Sequence, residues 1–374
     1  MFKPSLTLLA ALATSTLPLP TAANDYPVGP GCFWRNDSGP TDLILRIPDT
    51  LYVESTQADG SLIGGQSYNL RATAASPSHW KCYNRDSDTP VINTLTVDAL
   101  QPPAVLNATA SGGGNRTLPP ADKIRQTSVP GIGAAIDWGS RFSGGNADSF
   151  DANGPAMAPF VAQQRLRRAH DIGFIPNQFW VVHLVKTGPL EPGRYRLDPG
   201  QKQFSSRLSP FAGQISDLWE MGLSAEIVVT GCGTAPTPIS PNPVDLGSHD
   251  LASFAQGSYT PAVPFTLNLT GCLKPPAGSV LGIYVQLDPA EGSAPLDPDS
   301  GLFSLGHGAT AQNVGVQMLR ADARTPMPLA RKERMNTVAD GDLALGFNAR
   351  LAKLADPVKA GKVQAALKFT VTYE

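Results

Sequence analysis

Charge is what this sequence has least of. Asp, Glu, Lys and Arg make up 16% of the 374 residues, against ~25% in an ordinary soluble domain. The formal net charge is −2 and no block of like charge occurs, which excludes a polybasic nucleic-acid binder. Cysteine is limited to four residues, none in CxxC spacing. The five histidines, His79, His170, His183, His249 and His307, include no pair at helical ligand spacing. A metal site is therefore not expected. There is no GxSxG elbow, P-loop or HExxH, so neither catalysis nor a cofactor is expected. Beyond the N-terminus no stretch reaches the ~20 apolar residues of a membrane helix.

Glycine and proline are abundant, 36 and 35 residues or about a fifth of the chain. That excludes a long helical bundle or coiled coil. Hydrophobic residues, at 41%, suffice for cores, and the length predicts two or three domains at ~150 residues each. Residues 1–23 read as a secretory signal: Lys3, the apolar run Leu6 to Leu17, and the small-residue site Thr21-Ala22-Ala23. An even number of cysteines in an exported chain points to disulfides, and four allow three connectivities. The positions fall into an early and a late cluster. Pairing within each gives Cys32–Cys82 and Cys232–Cys272, each removing roughly 4 kcal/mol of unfolded-chain entropy on the loop-closure model.

Short β-branched runs bounded by Gly and Pro predict an all-β protein built as sandwiches. Examples are Asp42 to Ile47, Thr94 to Leu100, Gly133 to Trp138, Phe179 to Val185 and Ala225 to Thr230. Pro159 to His170 reads as the one helix. After Thr230 a proline-rich stretch, Thr234 to Pro243, precedes new strand signals at Val244 to Leu246, Phe265 to Leu269, Val280 to Leu287, Val314 to Leu319, Leu343 to Phe347 and Val363 to Tyr373. The division is 24–230 and 231–374. In the final run Ala365, Leu367, Phe369, Val371 and Tyr373 alternate with Ala366, Lys368, Thr370 and Thr372, a strand with one buried face. About six strand segments follow residue 243, one fewer than an immunoglobulin-like sandwich uses. A missing strand leaves an apolar groove and an unpaired edge that another chain can fill.

Residues 231–374 resemble the pilin domain of chaperone–usher fimbriae. The resemblance rests on Gly231-Cys232, Val244 to Gly247, Phe265 to Cys272, Gly301-Leu302-Phe303, Asn313 to Met318, Leu345 to Ala349, Ala360 to Ala365 and Phe369 to Tyr373. It implies an incomplete immunoglobulin-like pilin sandwich that takes a strand first from a periplasmic chaperone and then from a neighbouring pilin subunit, with transit through an outer-membrane usher. It places the chaperone and donor-strand interface at Leu367, Phe369, Val371, Tyr373 and Glu374. Residues 24–31 carry two prolines and two glycines and make a poor donor strand, which with the extra upstream domain points to the fimbrium tip. Gly31 to Trp34, Val129 to Gly133 and Phe179 to Gly188 resemble the lectin-like sandwich of tip adhesins. The resemblance thus implies a secreted, surface-exposed tip adhesin for a host glycan or matrix-protein receptor. The alternative is a non-adhesive adaptor or assembly-initiating subunit.

Sugar sites combine an aromatic plane with nearby amide, carboxylate or guanidinium groups. Two stretches have that mixture. One offers Tyr83, Asn84, Arg85 and Asp86, read as a loop; the other, rich in glycine, offers Arg141, Asn146 and Asp148. Trp80 shares a strand face with Cys82 and is expected to pack on the disulfide, and Trp138 is expected in the core. Arg165, Arg167 and Arg168 read as a solvated helix face.

Overall fold

The computed structural model describes residues 31–34, 38–76, 79–84, 89–106, 118–138, 150–152, 154–166, 169–174, 179–211, 214–254 and 257–374. The predicted secretory signal and Arg85, Asp86, Arg141, Asn146 and Asp148 lie outside the described residues. The protein is all-β, with helical turns of three or four residues only, among the described residues, at Ile63–Gly65, Ala121–Lys123 and Leu251–Phe254.

Period-2 patterning builds the first sandwich. In the strand Thr41–Glu54, Leu43, Leu45, Ile47, Leu51 and Val53 are buried while Asp42, Arg46, Pro48, Tyr52 and Glu54 face out. This strand runs parallel to Gln214–Ser240, from Thr41 opposite Trp219 to Glu54 opposite Thr230. Lys202–Phe211 pairs antiparallel on the same long strand, and Val91–Ala99 and Phe160–Leu166 extend the sheet. A second sheet, in the order Tyr68–Arg71, Phe179–Lys186, Ile132–Asp137 and Arg125–Gln126, covers it. Between the sheets Trp180 stacks on Trp138, at 5.9 Å between ring centroids, and meets Trp219 edge-on at 5.3 Å. Trp138 is thus in the core, as the alternation predicts.

A second core begins where the first stops. Val229 closes the first cluster of buried side chains and Cys232 opens the second. The 27-residue strand Gln214–Ser240 serves both. Past Gly231 it pairs with Val263–Leu273, from Gly231 opposite Leu273 to Ser240 opposite Thr266. Gly341–Lys353 and Val314–Arg320 continue that sheet. The opposing sheet has three strands in the order Glu333–Thr337, Gly282–Ala290, Ala366–Tyr373. Disulfides join Cys32 to Cys82 and Cys232 to Cys272, one in each core.

Three local readings differ from the sequence expectation. The predicted helix is instead the strand Phe160–Leu166, with Ala162, Gln164 and Leu166 buried and Val161, Gln163 and Arg165 exposed. Gln164 points inward because its side-chain carbonyl accepts a hydrogen bond from the Asn93 amide at 2.8 Å, both groups fully buried. The alternation is real but half hidden by that inward polar residue. Arg165 accordingly sits on a strand face, and Arg167 and Arg168 lie outside the described residues. The proline-rich stretch enters the sheet as far as Ser240. Val244 to Leu246 is not a strand; Val244 and Leu246 pack half-buried against the second core.

Candidate functional site

The chain's last strand lies at the rim of the second core. Ala366–Tyr373 pairs antiparallel with Gly282–Ala290, setting Tyr373 opposite Ile283, Val371 opposite Val285, Phe369 opposite Leu287 and Leu367 opposite Pro289. Among the described residues its other edge pairs with no strand. Ile283, Val285 and Leu287 are fully buried, whereas Leu367, Phe369 and Val371 are only half-buried. Phe369 meets Phe347 edge-on at 5.6 Å and Phe265 at 6.2 Å, and those two rings stack at 5.7 Å. Val363 and Ala365, along with Ile239, Val244 and Leu246, are likewise half-buried against this core. An apolar ladder at a free edge is the arrangement that strand addition satisfies.

Tyr373 and Glu374 fasten the end of that strand. The Tyr373 hydroxyl donates to the Cys232 carbonyl at 2.9 Å, and its carbonyl accepts from the Thr56 hydroxyl at 3.2 Å. The Glu374 N–H donates to the Gly282 carbonyl, and the Gly282 N–H to the Glu374 carbonyl at 2.6 Å. The Glu374 side chain pairs with Lys332. Gly231 permits this junction. Its φ is +125°, and a Cβ there would lie 2.7 Å from the Ser55 hydroxyl and 3.2 Å from the Tyr373 ring.

Burial, then the charge of Glu374, raises the Glu54 carboxyl above the ordinary Glu value. A carboxyl raised by folding binds more protons in the folded state, so stability falls as pH rises from 4.5 through the raised value. Glu54→Gln is therefore expected to raise the melting temperature at pH 7, with the gain disappearing below pH 4.5. Paired thermal scans at the two pH values check this; a loss of stability at pH 7 contradicts the assigned cost of desolvation and repulsion.

The predicted receptor residues that fall among the described ones sit on the strand His79–Asn84 rather than in a loop. Tyr83 is half-buried. Asn84 is buried, and its amide donates to the carbonyls of Thr89, at 3.1 Å, and Leu166, at 2.9 Å. That correction follows from tertiary pairing: the neighbouring strand Gly31–Trp34 holds the segment extended through Asn84's neighbour Tyr83. Trp80 is buried in the same cluster as the Cys32–Cys82 bridge.

Two surface depressions of the first sandwich were not signalled by any motif. One, of about 360 Å³, is lined by Thr41, Asp42, Ser76, Asp217, Trp219 and Glu220. The other, of about 330 Å³, is lined by Asp49, Thr50, Leu51, Tyr52, Gln66 and Tyr68, with Gly64 beside them. The available signal was Tyr52, an aromatic on the outward face of an alternating strand.

The fimbrial protein family model matches residues 221–374. The S-fimbrial protein subunit SfaG of Escherichia coli O6:K15:H31 is 31% identical over 137 residues, covering 35% of this chain and 70% of that protein. An uncharacterized fimbrial-like protein of E. coli K12, YdeS, is 28% identical over 157 residues, 41% of this chain and 84% of that protein. Among solved structures, the CupB6 tip adhesin from Pseudomonas aeruginosa aligns over 92% of this chain and 94% of its own, at 14% identity and a TM-score of 0.32. The family model falls on the region holding the second core, and the identity to SfaG over 70% of that protein shows that the chain belongs to the fimbrial protein family, as a pilus subunit and not an enzyme.

Proposed function

We propose that the chain is a fimbrial tip adhesin of two units, 24–230 and 231–374. The second unit is an incomplete sandwich plugged into the pilus by strand complementation, and the first binds a receptor. The observation that carries the strand-acceptor reading is the half-buried ladder Leu367, Phe369 and Val371 on a strand whose outer edge has no partner among the described residues. Four apolar side chains filling that groove contribute on the order of 6–12 kcal/mol before ordering costs. The occupants are a periplasmic chaperone during export and a neighbouring pilin at the surface, with an outer-membrane usher between. The receptor role is supported by the size of the first sandwich. The match to SfaG takes in 35% of this chain, and most of the first core lies upstream of the fimbrial region.

The test is removal of residues 31–229 from the chain displayed on pili. Adhesion to host cells and matrix surfaces is expected to disappear while pilus number is kept. Retained adhesion on every surface would make the subunit an adaptor.

A further inference from the structure

We propose that the depression lined by Asp49, Thr50, Tyr52, Gln66 and Tyr68 is a binding site for a neutral, hydroxyl-rich saccharide. The proposal rests on the receptor-binding role of the first unit and assigns it a place and a ligand class. The site is built by two local departures from regular structure. The ladder between Thr41–Glu54 and the long strand shifts register between the Arg46–Ser224 and Thr50–Glu226 pairs. Such irregularities re-aim side chains; here Ile47, Pro48 and Asp49 fall in the gap and pairing resumes at Thr50. Opposite them, the turn Ile63–Gly65 carries Gly64 at φ +71°, where a Cβ would lie 2.1 Å from the Tyr68 hydroxyl oxygen. Only glycine lets that hydroxyl lie where it does, donating to the Ile63 carbonyl at 3.2 Å.

The two tyrosines then have separate tasks. Tyr68 is packed against the first core and its strand pairs with Phe179–Lys186. It forms a rigid wall. Burial raises its phenol above the ordinary tyrosine value, with a hydrogen bond from Gln66 opposing and the charge of Asp49 adding to the shift. Tyr52 is 36% exposed on the outward sheet face and supplies the plane on which the C–H face of a sugar ring stacks. Asp49, Thr50 and Gln66 provide acceptors and donors at the rim for its hydroxyls. The volume, about 330 Å³, lies at the lower end of the ~300–1,000 Å³ range of small-molecule sites.

Charge narrows the class. Asp49 is the one carboxylate in the lining, and among the described residues no Lys, Arg or His lines the depression. A sialylated or sulfated glycan would meet a carboxylate with no cation to offset it. The other depression does not compete. Its carboxylates Asp42, Asp217 and Glu220 flank a Trp219 that is 2% exposed, so no aromatic face is offered, and Asp42 is paired with Lys202 at 2.9 Å.

The experiment uses the full chain in complex with its chaperone on an array of neutral hexose and N-acetylhexosamine glycans beside sialylated and sulfated ones. Wild type is expected to bind neutral glycans. Tyr52→Ala and Asp49→Ala are expected to lose about tenfold or more, and Tyr52→Phe to keep most binding, with melting temperatures unchanged. Full binding by Tyr52→Ala and Asp49→Ala, or preference for the anionic glycans, overturns the proposal. So does loss on Tyr83→Ala in place of Tyr52→Ala, which moves the site but leaves the adhesin reading intact. Adhesion to matrix proteins with no glycan binding overturns the ligand class alone, whereas adhesion surviving removal of residues 31–229 overturns the adhesin reading itself.

Discussion

Phe369→Ala is expected to cut the amount of chain recovered with its periplasmic chaperone, and the number displayed on pili, by about an order of magnitude. Phe369 bridges the terminal strand to the interior: it stands opposite the fully buried Leu287 and edge-on to Phe265 and Phe347. Phe→Ala in a core costs about 3–5 kcal/mol, and a half-buried ring falls at or below the lower end. A loss of that size is a large part of the ~5–15 kcal/mol that holds a domain folded. It strikes the surface that an incoming strand must cover. Lys368→Ala, on the exposed face of the same strand, is the control and is expected to change neither quantity. Immunoblots of periplasm and of sheared pili measure both, and normal levels for Phe369→Ala would remove that side chain from the interface.

Gly222→Ala should instead destabilise the first sandwich. Gly222 is held on both sides, by Lys202 on one strand and Ile44 on the other. A Cβ there would lie 2.0 Å from the Pro199 carbonyl oxygen and 2.7 Å from its carbonyl carbon. Those are main-chain atoms, which cannot rotate away as a side chain can. Overpacking costs roughly 1–3 kcal/mol, occasionally more, and a backbone collision in a strand with neighbours on both sides belongs at the top of that range. At roughly 2–4 °C per kcal/mol for a unit of this size, the first transition should fall by about 6–12 °C. Capture by the chaperone should persist, because the second core is untouched. Gly39→Ala, with nothing within 4 Å of its Cβ, should melt as wild type. Two transitions separately resolved by calorimetry test this, and an unshifted first transition contradicts it.

What the sequence makes legible follows from how one-sided each strand is. Thr41–Glu54 and Ala366–Tyr373 put apolar residues on one face and polar ones on the other, and both are readable. So is the grouping of the cysteines, because each disulfide joins residues of one core. Phe160–Leu166 misleads for a specific reason. Its residues Ala162, Gln163, Gln164 and Leu166 favour helices in isolation, and its inward Gln164 finds its partner, Asn93, only across the sheet. Propensity is local, and the satisfaction of a buried amide is not. The candidate sugar site escapes for the same reason. Tyr52 and Tyr68 line one depression beside a turn that depends on Gly64 and a register shift along the long strand, neither of which leaves a spacing signature. Asn84 shows the converse: a polar residue beside aromatic neighbours looks like a contact for a ligand, yet its amide serves two backbone carbonyls.

The strand Gln214–Ser240 has a mechanical consequence. Because one unbroken strand enters both sheets, a pull between the two units travels along its axis. Its hydrogen bonds to the strands beside it stand across that axis, so tension loads them together in shear instead of peeling them one after another. The joint between the units is thereby stiff to stretching, and a bend there must first release Tyr373 from the Thr56 hydroxyl and from Gly231.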